Sequence, residues 1–345
     1  MLKRIALLVA LAGVVGVSLA SAGRPGYAWH DTATGSAARL RGLSAVSSTT
    51  AWASGSLGTV LRTTDRGATW QQVGPPGTAN LQFRDIEAFD ANHAVILSIG
   101  EATDSRIYVT ADGGQTWNLT FVNQEPTAFY DCMTFFDDRR GLAVSDPPDG
   151  VHFRLMATDD GGLTWHLTGL QMPAALPGEF AFAASGQCLT SDHGRRAWLG
   201  TGGGAQARVF RSDDRGVSWT VAPTPIRSGP SAGIFALAFH GQQHGLAVGG
   251  DFLLETASPD NFARTGDGGS SWALLPGAPP EYRSGATWLN GNTALAVGPS
   301  GSDVSQDGGT SWQRFDDGSL DTVDCANPTA CWAAGASGRV AYLVR

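Results

Sequence analysis

Six aspartates recur along the chain in one setting: a hydroxyl residue, any residue, Asp, any, Gly, any, Ser or Thr, then Trp. They are Asp65, Asp112, Asp160, Asp214, Asp267 and Asp307, and the phrases close on Trp70, Trp117, Trp165, Trp219, Trp272 and Trp312. Carboxylates repeated this regularly invite an acid–base reading. The phrase gives each one a plainer occupation. An Asp side chain can accept hydrogen bonds from the backbone of its own turn. The Gly permits the positive φ of a tight turn, and the Trp ring can fill the gap between neighbouring units. All six aspartates are therefore expected to be structural.

Other carboxylates lie in or beside long irregular segments: Glu101, Glu125, Asp131, Asp146, Glu179 and Asp251. Two carboxylates about 5–10 Å apart suit glycosidic hydrolysis. Asp131, Asp146, Glu179 and Asp251 thus carry an alternative reading as a glycoside hydrolase with a glycan ligand. No metal site is expected, because the seven histidines are scattered and no H-x-H, HExxH or C-x-x-C occurs. Gly202-Gly203-Gly204-Ala205-Gln206-Ala207 satisfies G-x-G-x-x-A, yet Arg208-Val209-Phe210-Arg211 follows it. A dinucleotide site needs a helix there. No cofactor is expected.

The elements that would position these residues follow from the repeat. Box tryptophans are 47, 48, 54, 53 and 40 residues apart, the length of one four-stranded propeller blade. In the first unit Leu40 to Val46, Ala51 to Gly55, Thr59 to Arg62 and Trp70 to Val73 read as four short strands between Gly, Asp and Ser turns. After the sixth box come three further strand-like runs around Cys325, Trp332 and Val340, and then the chain stops. Tyr27-Ala28-Trp29-His30-Asp31 resembles the outer strand that follows a box, with Trp29 as the missing seventh Trp. The expectation is an all-β seven-bladed β-propeller of four-stranded blades. Six blades carry box turns, and the N-terminal strand joins the C-terminal blade to close the ring and remove an open sheet edge.

Lys3 and Arg4 precede an apolar run from Ile5 to Val17 and a small-residue Ala20-Ser21-Ala22 site. Residues 1–22 read as a cleavable signal peptide. Residues 23–345 then form a single propeller domain, periplasmic or secreted, with no membrane span in the mature protein. Removing the leader leaves 21 basic residues against 31 acidic, a net charge of −10, and no lysine. That excludes Schiff-base and P-loop chemistry and disfavours nucleic acid. Cys325 and Cys331 flank a turn-like stretch and are expected to pair as a disulfide. Cys132 and Cys188 fall on inner strands of neighbouring blades, where a disulfide and two buried thiols are equally open.

The eight-residue phrase is similar to the Asp-box, or bacterial neuraminidase repeat, of sialidases and sortilin-type receptors. The stretch from Trp52 to Trp70, Gly245-Leu-Ala-Val-Gly-Gly250 and Asp307-Gly-Gly-Thr-Ser-Trp312 resemble the photosystem II stability/assembly factors across essentially the whole mature chain. That resemblance implies a seven-bladed propeller acting as a non-catalytic assembly scaffold with a protein partner. Those factors carry an arginine-rich patch for partner contact. Arg41, Arg84 and Arg283 share one register at the start of inner strands in blades one, two and six and resemble that patch, with Tyr130 beside them. The sialidase likeness is poorer, since Arg24-Pro25 lacks the aromatic and Ile of the Phe/Tyr-Arg-Ile-Pro motif. Strand order places segments 123–130, 146–152, 171–184, 223–233, 251–261 and 276–283 mostly on one face. The box turns lie on the other. Function is expected on the loop-rich face.

Overall fold

The computed structural model describes residues 26–169 and 172–345, so the leader expected over residues 1–22 lies outside the described residues. Seven four-stranded antiparallel sheets are arranged as a propeller. The innermost strands are Leu40–Ala45, Gln82–Ala88, Tyr130–Phe135, Leu189–Ser191, Ala232–His240, Gly285–Trp288 and Thr322–Asn327. Two three-residue 3₁₀ turns, Ala102–Asp104 and Ala336–Gly338, are the helical elements among the described residues. The glycine-rich decoy lies between the antiparallel strands Ala197–Gly200 and Arg208–Ser212, so a strand follows it and not a helix.

Closure is by the N-terminal strand. Ala28–Thr32 pairs antiparallel with Val340–Val344, Trp29 opposite Leu343. The Trp29 indole donates to Ser302 Oγ at 3.0 Å and packs 5.7 Å from the Phe315 ring, so it bridges blades seven and six. Trp70 holds the equivalent place between blades one and seven, 5.9 Å from Trp332 and edge-on to it. Hydrophobic cores sit between blades in this way: Trp52 and Val60 of blade one meet Ile96, Tyr108 and Trp117 of blade two. Second strands are sandwiched by neighbours on both faces, and all five residues of Ala51–Gly55 and of Gly141–Ser145 are buried.

The box turn shows why its residues recur. Asp65 Oδ1 accepts from Thr63 Oγ1 at 2.8 Å and from the Thr69 amide at 2.9 Å, while Oδ2 accepts from Thr69 Oγ1 at 2.6 Å. The Gly67 amide donates to Thr63 Oγ1 at 2.9 Å. Gly67 has φ +77°, and a Cβ there would lie 2.5 Å from Thr32 Cγ2. Asp112, Asp160, Asp214, Asp267 and Asp307 make the same three contacts in their own turns. These hydrogen bonds, led by the one from the Ser271 hydroxyl, hold the Asp267 carboxyl near 2.

Blade four departs from its siblings. Its inner strand has three residues, because the preceding segment leaves the sheet and crosses the lumen. Gln187 Nε2 donates to the carbonyls of Ala286 in blade six at 3.0 Å and Val323 in blade seven at 2.9 Å, and its Oε1 accepts the Ala286 amide at 3.0 Å. The Leu237 amide of blade five donates to the Gln187 carbonyl at 3.0 Å, and Thr322 Oγ1 donates to that of Ser185 at 3.2 Å. Gly186, at φ +77°, passes so near blade two that a Cβ would stand 2.5 Å from Asp85 Oδ1. Two residues on, Cys188 is disulfide-bonded to Cys132 of blade three. Cys325 and Cys331 are bonded across the hairpin of blade seven.

A blind arginine cup as the candidate functional site

Four of the seven innermost strands share one irregularity. Register shifts by one residue between Leu40 and Gly42, Phe83 and Asp85, Tyr130 and Cys132, and Ile234 and Ala236. Each skips one residue: Arg41, Arg84, Asp131 and Phe235. A bulged residue is unpaired and its side chain is re-aimed. Arg41, Arg84 and Phe235 thereby line a cavity of about 320 Å³ on the loop-rich face, together with Arg39, Phe182 and Tyr282. The crossing segment 182–187 forms its floor, so the channel is blind from this side. Phe182 stacks on Phe235 with centroids 4.0 Å apart, and Tyr282 meets Phe235 edge-on at 4.7 Å.

The three guanidiniums are not equivalent. Arg39 forms a two-point pair with Asp321, Nε to Oδ2 at 2.8 Å and Nη2 to Oδ1 at 2.7 Å. Arg84 donates only to neutral acceptors, the Ala183 carbonyl at 2.8 Å and Gln82 Oε1 at 2.9 Å. Burial, with the charges of Arg41 and Arg39 added, lowers the Arg84 guanidinium to about 10. Arg41 Nε is buried without a hydrogen-bond partner, and burial lowers this side chain as well. Arg41 and Arg84 thus crowd a partly desolvated cup without an ion pair of their own, and with Glu255 on the same wall the cations still outnumber the carboxylates, an arrangement that favours an anionic ligand group.

Arg283 is not part of this patch. It is fully buried and paired with Asp303, and its Nη1 donates to Ser300 Oγ at 3.0 Å. Blade six has no inner-strand bulge. Tyr130 is also withdrawn: its ring packs 5.2 Å from Phe121 between blades two and three, and burial pushes its hydroxyl to about 12. Arg39, Phe182, Phe235 and Tyr282 were not singled out from sequence. Arg39 had a signal, lying two residues before Arg41 on an alternating segment.

The carboxylate set disperses into structural duties. Glu179 is buried, paired with Arg208, and accepts from Thr201 Oγ1 at 2.6 Å and the Leu176 amide at 2.7 Å. Asp251 Oδ1 caps the Leu253 amide at 3.0 Å. Glu125 pairs with Arg154 at 2.8 Å. Asp131 and Asp146 do meet, and burial followed by mutual repulsion raises Asp131 far above the usual range. Asp131 is buried, so the pair does not open onto a space for the sugar and water of the two-carboxylate mechanism. Asp146 Oδ1 accepts the Ala181 amide at 2.8 Å and so helps anchor the crossing segment.

Beneath that segment the lumen changes sign. Asp85, Glu87 and Asp324 line a second cavity of about 130 Å³ with Gly186 and Gln187. Burial pushes Asp85 to about 8 and raises Glu87 and Asp324 as well. Among the described residues, no cluster of three or more His, Cys, Asp or Glu is placed to hold a metal ion.

No protein-family model matches the chain, and no curated protein matches it in sequence. Solved structures match it over nearly its whole length. YCF48 bound to a D1 peptide superposes with a TM-score of 0.67 at 16% identity, covering 92% of this chain and 97% of that one. YCF48 from Cyanidioschyzon merolae gives 0.67 at 14% identity over 91% and 98%. A GH74 xyloglucanase from Xanthomonas campestris gives 0.59 at 15% identity over 91% of this chain but 53% of the enzyme. At such identities the likeness is one of fold, and the chain shares the seven-bladed propeller architecture with YCF48.

Proposed function

We propose that the chain is an exported, non-catalytic protein-binding propeller that holds an anionic segment of a partner in the arginine cup and serves as an assembly scaffold. The observation that carries this reading is the blind cup with Arg41 and Arg84 without ion-pair partners among aromatic walls. Buried like charges without partners are costly to a fold, so their retention argues for a ligand that neutralises them. Support also comes from the similarly folded YCF48, which holds a D1 peptide. Export is supported by the leader-like residues 1–22 and by two disulfides, which persist in oxidising compartments.

The test is capture from the exported protein fraction by immobilised wild-type chain and by Arg41→Ala/Arg84→Ala. A partner retained by the first and lost by the second is expected. Equal recovery by both sinks the reading. Hydrolysis of a glycoside panel that disappears on Asp146→Asn would replace it with the enzyme reading.

A further inference from the structure

The cup has an apolar lip. Phe252, Leu253 and Leu254 follow one another in the loop between the second and third strands of blade five and are 41%, 71% and 44% exposed. Three consecutive large apolar side chains in water are unusual for a soluble surface and mark an interaction site. The loop that displays them is well fixed. The Phe252 amide donates to the Ser231 carbonyl at 3.1 Å, and Leu254 donates to that of Asp251 at 2.9 Å. Tyr282 donates to the Glu255 carbonyl at 3.0 Å and Ser258 to that of Pro280 at 2.7 Å, tying the loop to the approach of blade six. The Phe252 ring stands edge-on to Phe235 at 6.2 Å and to Phe182 at 6.4 Å. The apolar lip is therefore continuous with the aromatic wall above Arg41 and Arg84.

We infer that the lip and cup form one bipartite site for a partner polypeptide carrying an acidic side chain next to a large apolar one. The carboxylate enters the cup, and the neighbouring apolar side chain lies on Leu253 and Leu254. This rests on the protein-binding reading above and specifies its partner. Charge complementarity selects the occupant: Arg41 and Arg84, neither with an ion pair, lie beneath the lip with Arg39, and Glu255 is the carboxylate that lines the cup beside them. An anionic membrane is disfavoured by the net charge of −10 outside the leader, which repels an extended negative surface. The cup, about 320 Å³ and closed by the crossing segment, admits a side chain and not a threading chain.

Fluorescence anisotropy with end-blocked, labelled octapeptides tests this. One probe has the core Leu-Phe-Asp-Glu between Gly-Ser ends, a second replaces Leu-Phe with Ser-Ser, and a third replaces Asp-Glu with Asn-Gln. The wild type is expected to bind the first about tenfold or more tightly than the others. Leu253→Ser/Leu254→Ser, both exposed positions, should weaken the first probe about tenfold, to the level of the second, and leave the second unchanged. Arg41→Ala/Arg84→Ala should lose both. If the arginine variant loses binding while the leucine variant keeps the first probe undiminished, the lip is refuted and the protein-binding reading stands. If the wild type binds no probe, both fail. Binding to phosphatidylglycerol vesicles but to no peptide assigns the lip to a membrane and overturns the inference. So does binding only to the same peptides with a free C-terminus. A wild-type dimer that Leu253→Ser/Leu254→Ser converts to monomer overturns it as well.

Discussion

Gln187 ties blade four's crossing segment to the far side of the ring through its own side chain, and Gln187→Ala measures what that tie is worth. The substitution deletes three hydrogen bonds of 2.9–3.0 Å to Ala286 and Val323, whose side chains are fully buried or nearly so. At a net value of about 1 kcal/mol each, the loss is roughly 3 kcal/mol, and nearer 2 if water replaces the amide group. Water has a route, since Gln187 and Ala286 both face a cavity of about 410 Å³ on the box-turn side. For a domain this size the melting midpoint should fall by roughly 3–5 °C. Hydrogen exchange should show the Ala286 amide losing protection ahead of its strand neighbours. Gln187→Glu separates hydrogen bonding from charge: it would place a carboxylate beside Asp324, Asp85 and Glu87. That variant should be less stable than Gln187→Ala at pH 8 and should recover as those carboxyls protonate in mild acid. A midpoint within 1 °C of wild type for Gln187→Ala, with Ala286 protection unchanged, would refute a floor fastened by this residue.

Stability should also fall from mildly acidic pH upward. Asp131, Asp146 and Asp85 are raised by burial, Asp85 to about 8, so the folded state binds protons that the unfolded chain has released above about pH 4. Their contribution is complete below that value and is lost as pH rises through the folded values. Asp146→Asn should flatten the decline in melting midpoint between pH 5 and 8, and an unchanged slope would contradict the assignment. The box carboxyls act with the opposite sign: Asp65 and Asp267 are held low, so their contribution is present above about pH 4 and disappears toward pH 2. Cys132→Ala/Cys188→Ala, opening a loop of 56 residues, should cost about 4 kcal/mol, against about 2 kcal/mol for Cys325→Ala/Cys331→Ala with its separation of 6, both read by denaturant unfolding. Arg41→Met should raise stability by about 1 kcal/mol while abolishing partner capture, because it removes a partly buried, unpaired cation. A loss of stability would mean the cation has an internal structural role.

Much of the scaffold was legible because a propeller repeats its own solution. A Trp that fills an inter-blade gap must recur once per blade, so spacing alone yields blade length, and Trp29 could be matched to a gap that no box occupied. The active surface was less legible. Counting alternate residues along an inner strand gives the wrong face beyond a bulge, and Arg41, Arg84, Asp131 and Phe235 all sit at bulges. Arg283 looked equivalent to Arg41 and Arg84 in register, yet its own blade supplies Asp303 as a partner and removes it from the cup.

What the sequence by itself determined was the repeated local chemistry: the box turns, the strand count and the closure by the N-terminal strand. These depend on residues a few positions apart, or on the need of every sheet edge for a partner. The tertiary structure alone decided that the lumen is divided. Gln187 finds its acceptors about a hundred residues and more downstream. Its amide has no sequence-local partner pattern, and only the closed ring brings blades six and seven within its reach. Once it spans that gap, Arg41 and Arg84 lie above the floor and Asp85, Glu87 and Asp324 below it, and the blind cup opens on one face only.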